Sequence, residues 1–196
     1  VWTATTPEEI LDYRTHQYEA SNATTSAFLV YEVWRQLDMH KSLDPADLTG
    51  IEAGRIDERA ARAVGRSIAY WIDGDVEGAC CGILPHLERV IRKICIDLGI
   101  VVYIPQRGAK PGQMRTFGTL LTRLQEIAES AHTPEFDAFA EAIRSWRVVL
   151  VNPLSLNLRN EYLHGLRDNP QQTDMVLLLH VVAHLRAIGL TAVEPD

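Results

Sequence analysis

The stretch TDMVLLLHVVAHLRAIG, residues 173–189, constrains the fold more than any other part of the chain. It is apolar on nearly every face, and a helix of that kind is stable in water only when other helices surround it. Its longest apolar run, MVLLLHVVAHL, is too short to cross a bilayer and carries His180 and His184. The expectation is therefore a helical bundle wrapped around this segment.

The helical period recurs through most of the chain. In TPEEILDYRTHQYEA, Thr6 is placed to cap a helix, Pro7 to open it, and Glu8 and Glu9 to occupy its first turn. SNATTSAFLVYEVWRQLDMHK reads as a second helix, with Phe28, Val30, Tyr31, Val33, Trp34 and Leu37 at helical steps. SLDPADLTGIEAG (42–54) breaks the pattern and serves as a hinge between an N-terminal helical arm (1–50) and a bundle domain (51–196).

RIDERAARAVGRSIAYWIDGD follows as an amphipathic helix ending at Gly74. VEGACCGILPHLERVIRKICIDLG reads as a long helix that Pro85 kinks or divides, stopping at Gly99. IVVYIP (100–105) is the one β-like run, and QRGAKPGQMRTFG after it is a basic, glycine-containing loop. TLLTRLQEIAESA and PEFDAFAEAIRSWRVVLV are amphipathic, and NPLSLNLRNEYLHG is bracketed by Asn152 as N-cap, Pro153 as first residue and Gly165 as stop. The fold class is all-α, with about seven or eight helices and a core unit running from about residue 75 onward.

Composition excludes some functions and leaves others. A net charge of −7 over 196 residues gives no global basic field, so nucleic-acid binding requires a local patch. Cys80, Cys81 and Cys95 have neither zinc-knuckle spacing nor a disulfide framework, and read as reduced, buried thiols of a cytoplasmic protein. No signal peptide opens the chain, and it begins at Val1, as in a processed chain or a piece of a longer one.

The residues with most chemistry sit in LNLRNEYLHGLRDNP, 156–170. On a helix, Asn160 and His164 share a face, while Arg159 lies roughly 140° round from His164 and must reach over the edge. One copy makes a lopsided site, and a two-fold dimer would bring two arginines and two histidines into one cleft. Arginine offers permanently charged donors to phosphate oxygens, and histidine exchanges protons near neutrality; together they suit phosphodiester cleavage without a metal. The plainer alternative is a surface ion pair for Arg159 and a routine helix end at His164.

LNLRNEYLHGL also resembles the RNxxxHG motif of a family in the HEPN superfamily (higher eukaryotes and prokaryotes nucleotide-binding domains). That superfamily is marked by an arginine, often followed by a polar residue, then a histidine after four to six intervening positions. Here four intervene, and Asn160 is the polar residue. LPHLERVIRKICIDLGI, the glycine-containing loop and FGTLLTRL are similar to the family in kind and order, so the resemblance covers about residues 75–190.

The resemblance implies a HEPN-type helical bundle that commonly dimerises with its motif helices at a cleft. Many such proteins are metal-independent endoribonucleases in toxin–antitoxin, abortive-infection, CRISPR or RNA-processing systems; others bind RNA or nucleotides without cutting. By motif position, Arg159 and His164 form the catalytic pair and Asn160 supports them. The implied partners are single-stranded RNA, a second copy of the chain and an antitoxin or neighbouring domain, with no cofactor. A non-catalytic RNA-binding module and a helical protein-interaction module are the alternatives.

Further candidates surround this motif. Glu88 and Arg92 are spaced for a pair along one helix face, and Arg89, Arg92 and Lys93 are also placed to supplement a phosphate cleft. Arg107, Lys110 and Arg115 in QRGAKPGQMR form either a phosphate-gripping strip or a solvated loop, which is no P-loop. Tyr103 reads as core, with base stacking as the alternative, and His180 with His184 as hydrogen-bonded core histidines rather than a zinc pair.

Overall fold

The computed structural model describes residues 6–36, 55–106 and 111–188. Seven helices lie among the described residues: α1 (Pro7–Gln36), α2 (Glu58–Ile72), α3 (Val76–Asp97), α4 (Phe117–Ala131), α5 (Pro134–Leu150), α6 (Leu158–Leu163) and α7 (Gln172–Ala187). A two-residue antiparallel pairing of β1 (Tyr103–Ile104) with β2 (Gln113–Met114) is the only sheet among them. The all-α class holds, and no helix among the described residues is long and apolar enough to cross a membrane.

The fully apolar segment takes the central place its composition demands. α7 packs against α1, α3 and α5, burying Met175, Leu178, Val181 and Leu185 completely. Around it, α3 contributes Ile83, Leu87, Ile91 and Ile94, α4 contributes Leu120, Leu121 and Leu124, and α5 contributes Ile143 and Trp146. The core reaches further toward the N-terminus than residue 75, because Ile56, Ala60, Val64, Ile68 and Trp71 are buried in the same cluster.

Four local expectations need revision. The first two helices are one: α1 runs unbroken for 30 residues, capped by Thr6, whose Oγ1 accepts from Glu9 N at 3.2 Å. Ser21, Asn22, Thr24 and Thr25 are weak helix formers, but Ala20, Ala23 and Ala27 beside them face the bundle, and Gln17 Nε2 donates to Leu154 O at 2.6 Å. Tertiary packing thus overrides weak local propensity. The 42–54 hinge lies outside the described residues.

Pro85 neither divides nor ends α3, which continues for 22 residues; Pro85 is exposed. Asn152 and Pro153 open a turn, not a helix: Asn152 Oδ1 accepts from Leu154 N, and Asn157, at φ 51°, delays α6 until Leu158. Gly165 does stop α6, at φ 65°, where a side chain would be strained. Tyr103 is exposed rather than core, its hydroxyl lying where a Cβ on Gly112 would be.

His184 is half-buried and accepts a hydrogen bond at Nδ1 from Trp146 Nε1 at 3.2 Å, while His180 is exposed with its ring 4.2 Å from that of His184. No cluster of three metal-ligating side chains forms among the described residues. The three cysteines are free, and burial pushes the Cys80 and Cys95 thiols up to about 12 and about 11.

Two measurements test this packing. Ile91→Ala is expected to lower unfolding stability by about 3 kcal/mol in urea titration, since it empties a fully buried site in α3. Burial, and then the neighbouring His180, hold His184 below its ordinary value of 6.5. The native state therefore binds fewer protons there than the unfolded chain. The resulting stability is present above 6.5 and is lost as pH falls through the lowered value. The urea midpoint of the wild type is expected to fall more steeply from pH 7.5 to pH 5 than that of His184→Gln, and parallel profiles would refute this account.

Candidate nucleic-acid site

The motif helix α6 has only six residues, too few to be stable alone, so its neighbours must hold it. Leu158 and Tyr162 point inward and are buried. The Tyr162 hydroxyl donates to Asp174 Oδ2 at 2.8 Å, and Asp174, in the first turn of α7, is 2% exposed. The same carboxylate accepts from Gln171 N at 3.0 Å and takes the Arg167 guanidinium on both oxygens, the shortest contact being 2.7 Å. Burial pushes the Tyr162 phenol well above its ordinary value, so it remains a donor. Three donors on one buried carboxylate fix both ends of the α6–α7 connection.

Arg159 leaves α6 toward α3. Its Nε donates to Glu88 Oε2 at 2.9 Å and its Nη1 to Asn160 Oδ1 at 2.8 Å. Asn160 Nδ2 donates in turn to Asn157 Oδ1 at 2.8 Å. Asn160 therefore holds the arginine, not the imidazole of His164 with which it shares a helical face. Arg159 Nη2 donates to no described residue.

Glu88 also pairs with Arg92, its Oε1 accepting from Nη2 at 2.6 Å and from Nε at 2.9 Å. One carboxylate thus lies between two arginines from different helices, 15% exposed, with a separate oxygen for each. Arg92 is pinned further by the Arg115 carbonyl at 3.2 Å and lies over the Phe117 ring, 5.8 Å from its centroid. Arg92 is thus paired along its helix, as its spacing suggests, and it also lines a groove.

That groove, about 500 Å³ and open to solvent, is lined by Glu88, Arg89, Arg92 and Lys93 and floored by Ile96, Val102, Met114 and Leu163. It brings α3, the β1–β2 hairpin and α6 together. Arg89 reaches away from it to the Asp57 carboxylate, which caps α2, at 2.7 and 2.9 Å. Hydrogen bonding to Arg89 holds Asp57 down at about 2, so that pair is ionised throughout the neutral range. Lys93 pairs with Asp97 at 3.1 Å.

His164 ends α6, its backbone N–H donating to Asn160 O, and its side chain is exposed beside the exposed Leu163 and Leu166. Arg115 meets the site through its backbone, and Arg107 and Lys110 lie outside the described residues. Sequence spacing brought Glu88 and Arg92 together but gave no sign that Glu88 meets Arg159, 71 positions away. Asp174 left a readable sign, standing three residues after Gln171 as helix-capping acids do. Searches of protein-family models, curated proteins and solved structures found no match to the chain.

Asp174→Ala is expected to cost about 3–5 kcal/mol in urea unfolding, because it strands the Arg167 cation and the buried Tyr162 hydroxyl. Amide exchange across residues 158–163 should quicken at the same time; unchanged exchange there would show that α6 does not depend on this carboxylate.

Proposed function

We propose that the protein is a HEPN-type endoribonuclease that cuts single-stranded RNA, without a metal, at a cleft formed by two copies of the chain. The observation that carries this reading is the Arg159 guanidinium. It is oriented by Glu88 and Asn160, and Glu88 itself lines a groove that also presents Arg89, Arg92 and Lys93. Its remaining donor, Nη2, suits a phosphate oxygen, and its charge suits the extra negative charge of the transition state.

His164 supplies proton transfer. The 2′-oxygen of a ribose attacks the adjacent phosphorus, the bond to the 5′-oxygen breaks, and the products are a 2′,3′-cyclic phosphate and a 5′-hydroxyl. One imidazole takes the 2′-hydroxyl proton and another protonates the leaving oxygen, which is work for two copies of His164. The dimer is supported by exposed apolar side chains around the motif: Ile96, Met114, Leu163 and Leu166 are 57%, 53%, 37% and 59% exposed. A second copy would roof the open groove above them into a cleft and set the two motif helices face to face. The setting would be a defence, toxin or RNA-processing system in the cytoplasm, with an antitoxin or neighbouring domain as restraint.

A second reading, a module that binds RNA without cutting, is favoured by one observation. Among the described residues no hydrogen-bonding side chain orients His164, whereas Arg159 is held at two points.

Labelled RNA incubated with the protein in EDTA separates the two. Arg159→Ala and His164→Ala are each expected to lower the cleavage rate by about a hundredfold or more while both variants keep the wild-type melting profile. Products should carry cyclic phosphate ends. Binding without cutting by the wild type would support the second reading, and cutting that survives both substitutions would overturn the first.

A further inference from the structure

The face of α2 that lies away from the core carries cations that the site above does not use. Arg59 and Arg66 are both exposed and seven residues apart, so they lie on one side of α2, about 10.5 Å apart along its axis. Neither has an acidic partner among the described residues. Their neighbours are all committed: Arg62 to Glu58, Arg55 to Asp97, Arg89 to Asp57, and Arg92 and Arg159 to Glu88. In a chain of net charge −7, two unpaired arginines on one face are not what composition alone would provide.

The packing of α2 on α3 brings these arginines to a third group. The Asp57–Arg89 pair ties the two helices at one end, and Gly82 approaches Ser67 at the other, a Cβ on Gly82 standing 2.9 Å from Ser67 Oγ. His86 lies between those two contacts on α3, one turn before Arg89. Two nitrogens on that turn, His86 Nδ1 and Arg89 Nε, are buried and have no hydrogen-bond partner. Both atoms are buried, so the groups a ligand on this side reaches are the exposed guanidiniums of Arg59 and Arg66. Burial first, then the charges of Arg59, Arg89 and Arg66, hold His86 below its ordinary value.

We propose that Arg59, Arg66, His86 and Arg89 form a docking strip for the phosphodiester backbone of the RNA, continuous with the motif groove through Arg89, which lines both. The strip rests on the ribonuclease reading for its ligand and adds to it a path. The strand leaves the groove beside Arg89 and crosses α3 onto the outer face of α2. Contacts of this kind grip phosphates and carry no base preference, so the strip lengthens the footprint on RNA without narrowing the choice of sequence.

The test uses the full chain carrying His164→Ala, which retains bound RNA uncut, and a fluorescent single-stranded RNA in EDTA. Adding Arg59→Ala with Arg66→Ala is expected to raise Kd about tenfold at physiological salt and to flatten the plot of log affinity against log salt by about 1.4. Arg144→Ala on α5, which removes a cation paired with Glu141, is the control for bulk charge and should leave both unchanged. An unchanged Kd and slope in the double variant, or an equal loss in the Arg144 control, would overturn the strip.

Parallel cleavage assays keep the two proposals apart. A wild type that cuts RNA, with a double variant that binds as tightly as its parent, removes the strip and leaves the ribonuclease. Binding that depends on Arg59 and Arg66 without any cutting by the wild type does the reverse. No binding of RNA by any form removes both.

Discussion

The buried carboxylate of Asp174 is the contact on which the geometry of the motif rests. It caps the helix that forms the centre of the bundle and accepts the Tyr162 hydroxyl from the helix that carries Arg159 and His164. A carboxylate at 2% exposure is tolerable only because three donors, one of them cationic, surround it. The chain thereby converts an expensive buried charge into a rigid joint, so a helix of six residues keeps a defined place next to α3.

From that joint outward, order passes to the second acid, Glu88. Because α6 is fixed, Arg159 meets α3 at the level of Glu88, and because Arg92 shares the same carboxylate, the hairpin end of the groove is tied in through the Arg115 carbonyl. Two acids thus arrange four arginine and tyrosine side chains, the first acting in the interior and the second at the wall of the groove. The basic face of α2 stands outside both networks: Arg62 pairs with Glu58, and Arg59 and Arg66 have no acidic partner among the described residues.

The helices were legible where apolar residues recur at helical steps, as in α3, α4 and α5, and where caps are explicit, as at Thr6 and Gly165. They were less legible in the middle of α1, where Ser21, Asn22, Thr24 and Thr25 are weak helix formers, while Ala20, Ala23 and Ala27 let α1 approach α7 closely. Asn152 and Pro153 misled because the same two residue types open turns and helices alike. At the site, the pattern of Arg159, Asn160 and His164 was visible in sequence. The pairings that orient them were not, since Glu88 with Arg159 and Asp57 with Arg89 join residues 71 and 32 positions apart. Such contacts are products of packing, and no local spacing encodes them.

The double engagement of Glu88 has a further consequence for which anions the groove admits. Arg159 and Arg92 are never bare cations, because an internal anion already occupies their inner edges. A small monovalent anion that touches one arginine gains little beyond what Glu88 already supplies. A polyanion spanning Arg159, Arg92 and Lys93 at once gains from every contact while leaving that carboxylate in place. The built-in acid leaves the two arginines with one net positive charge between them, so a single small anion gains less there than it would from two bare guanidiniums.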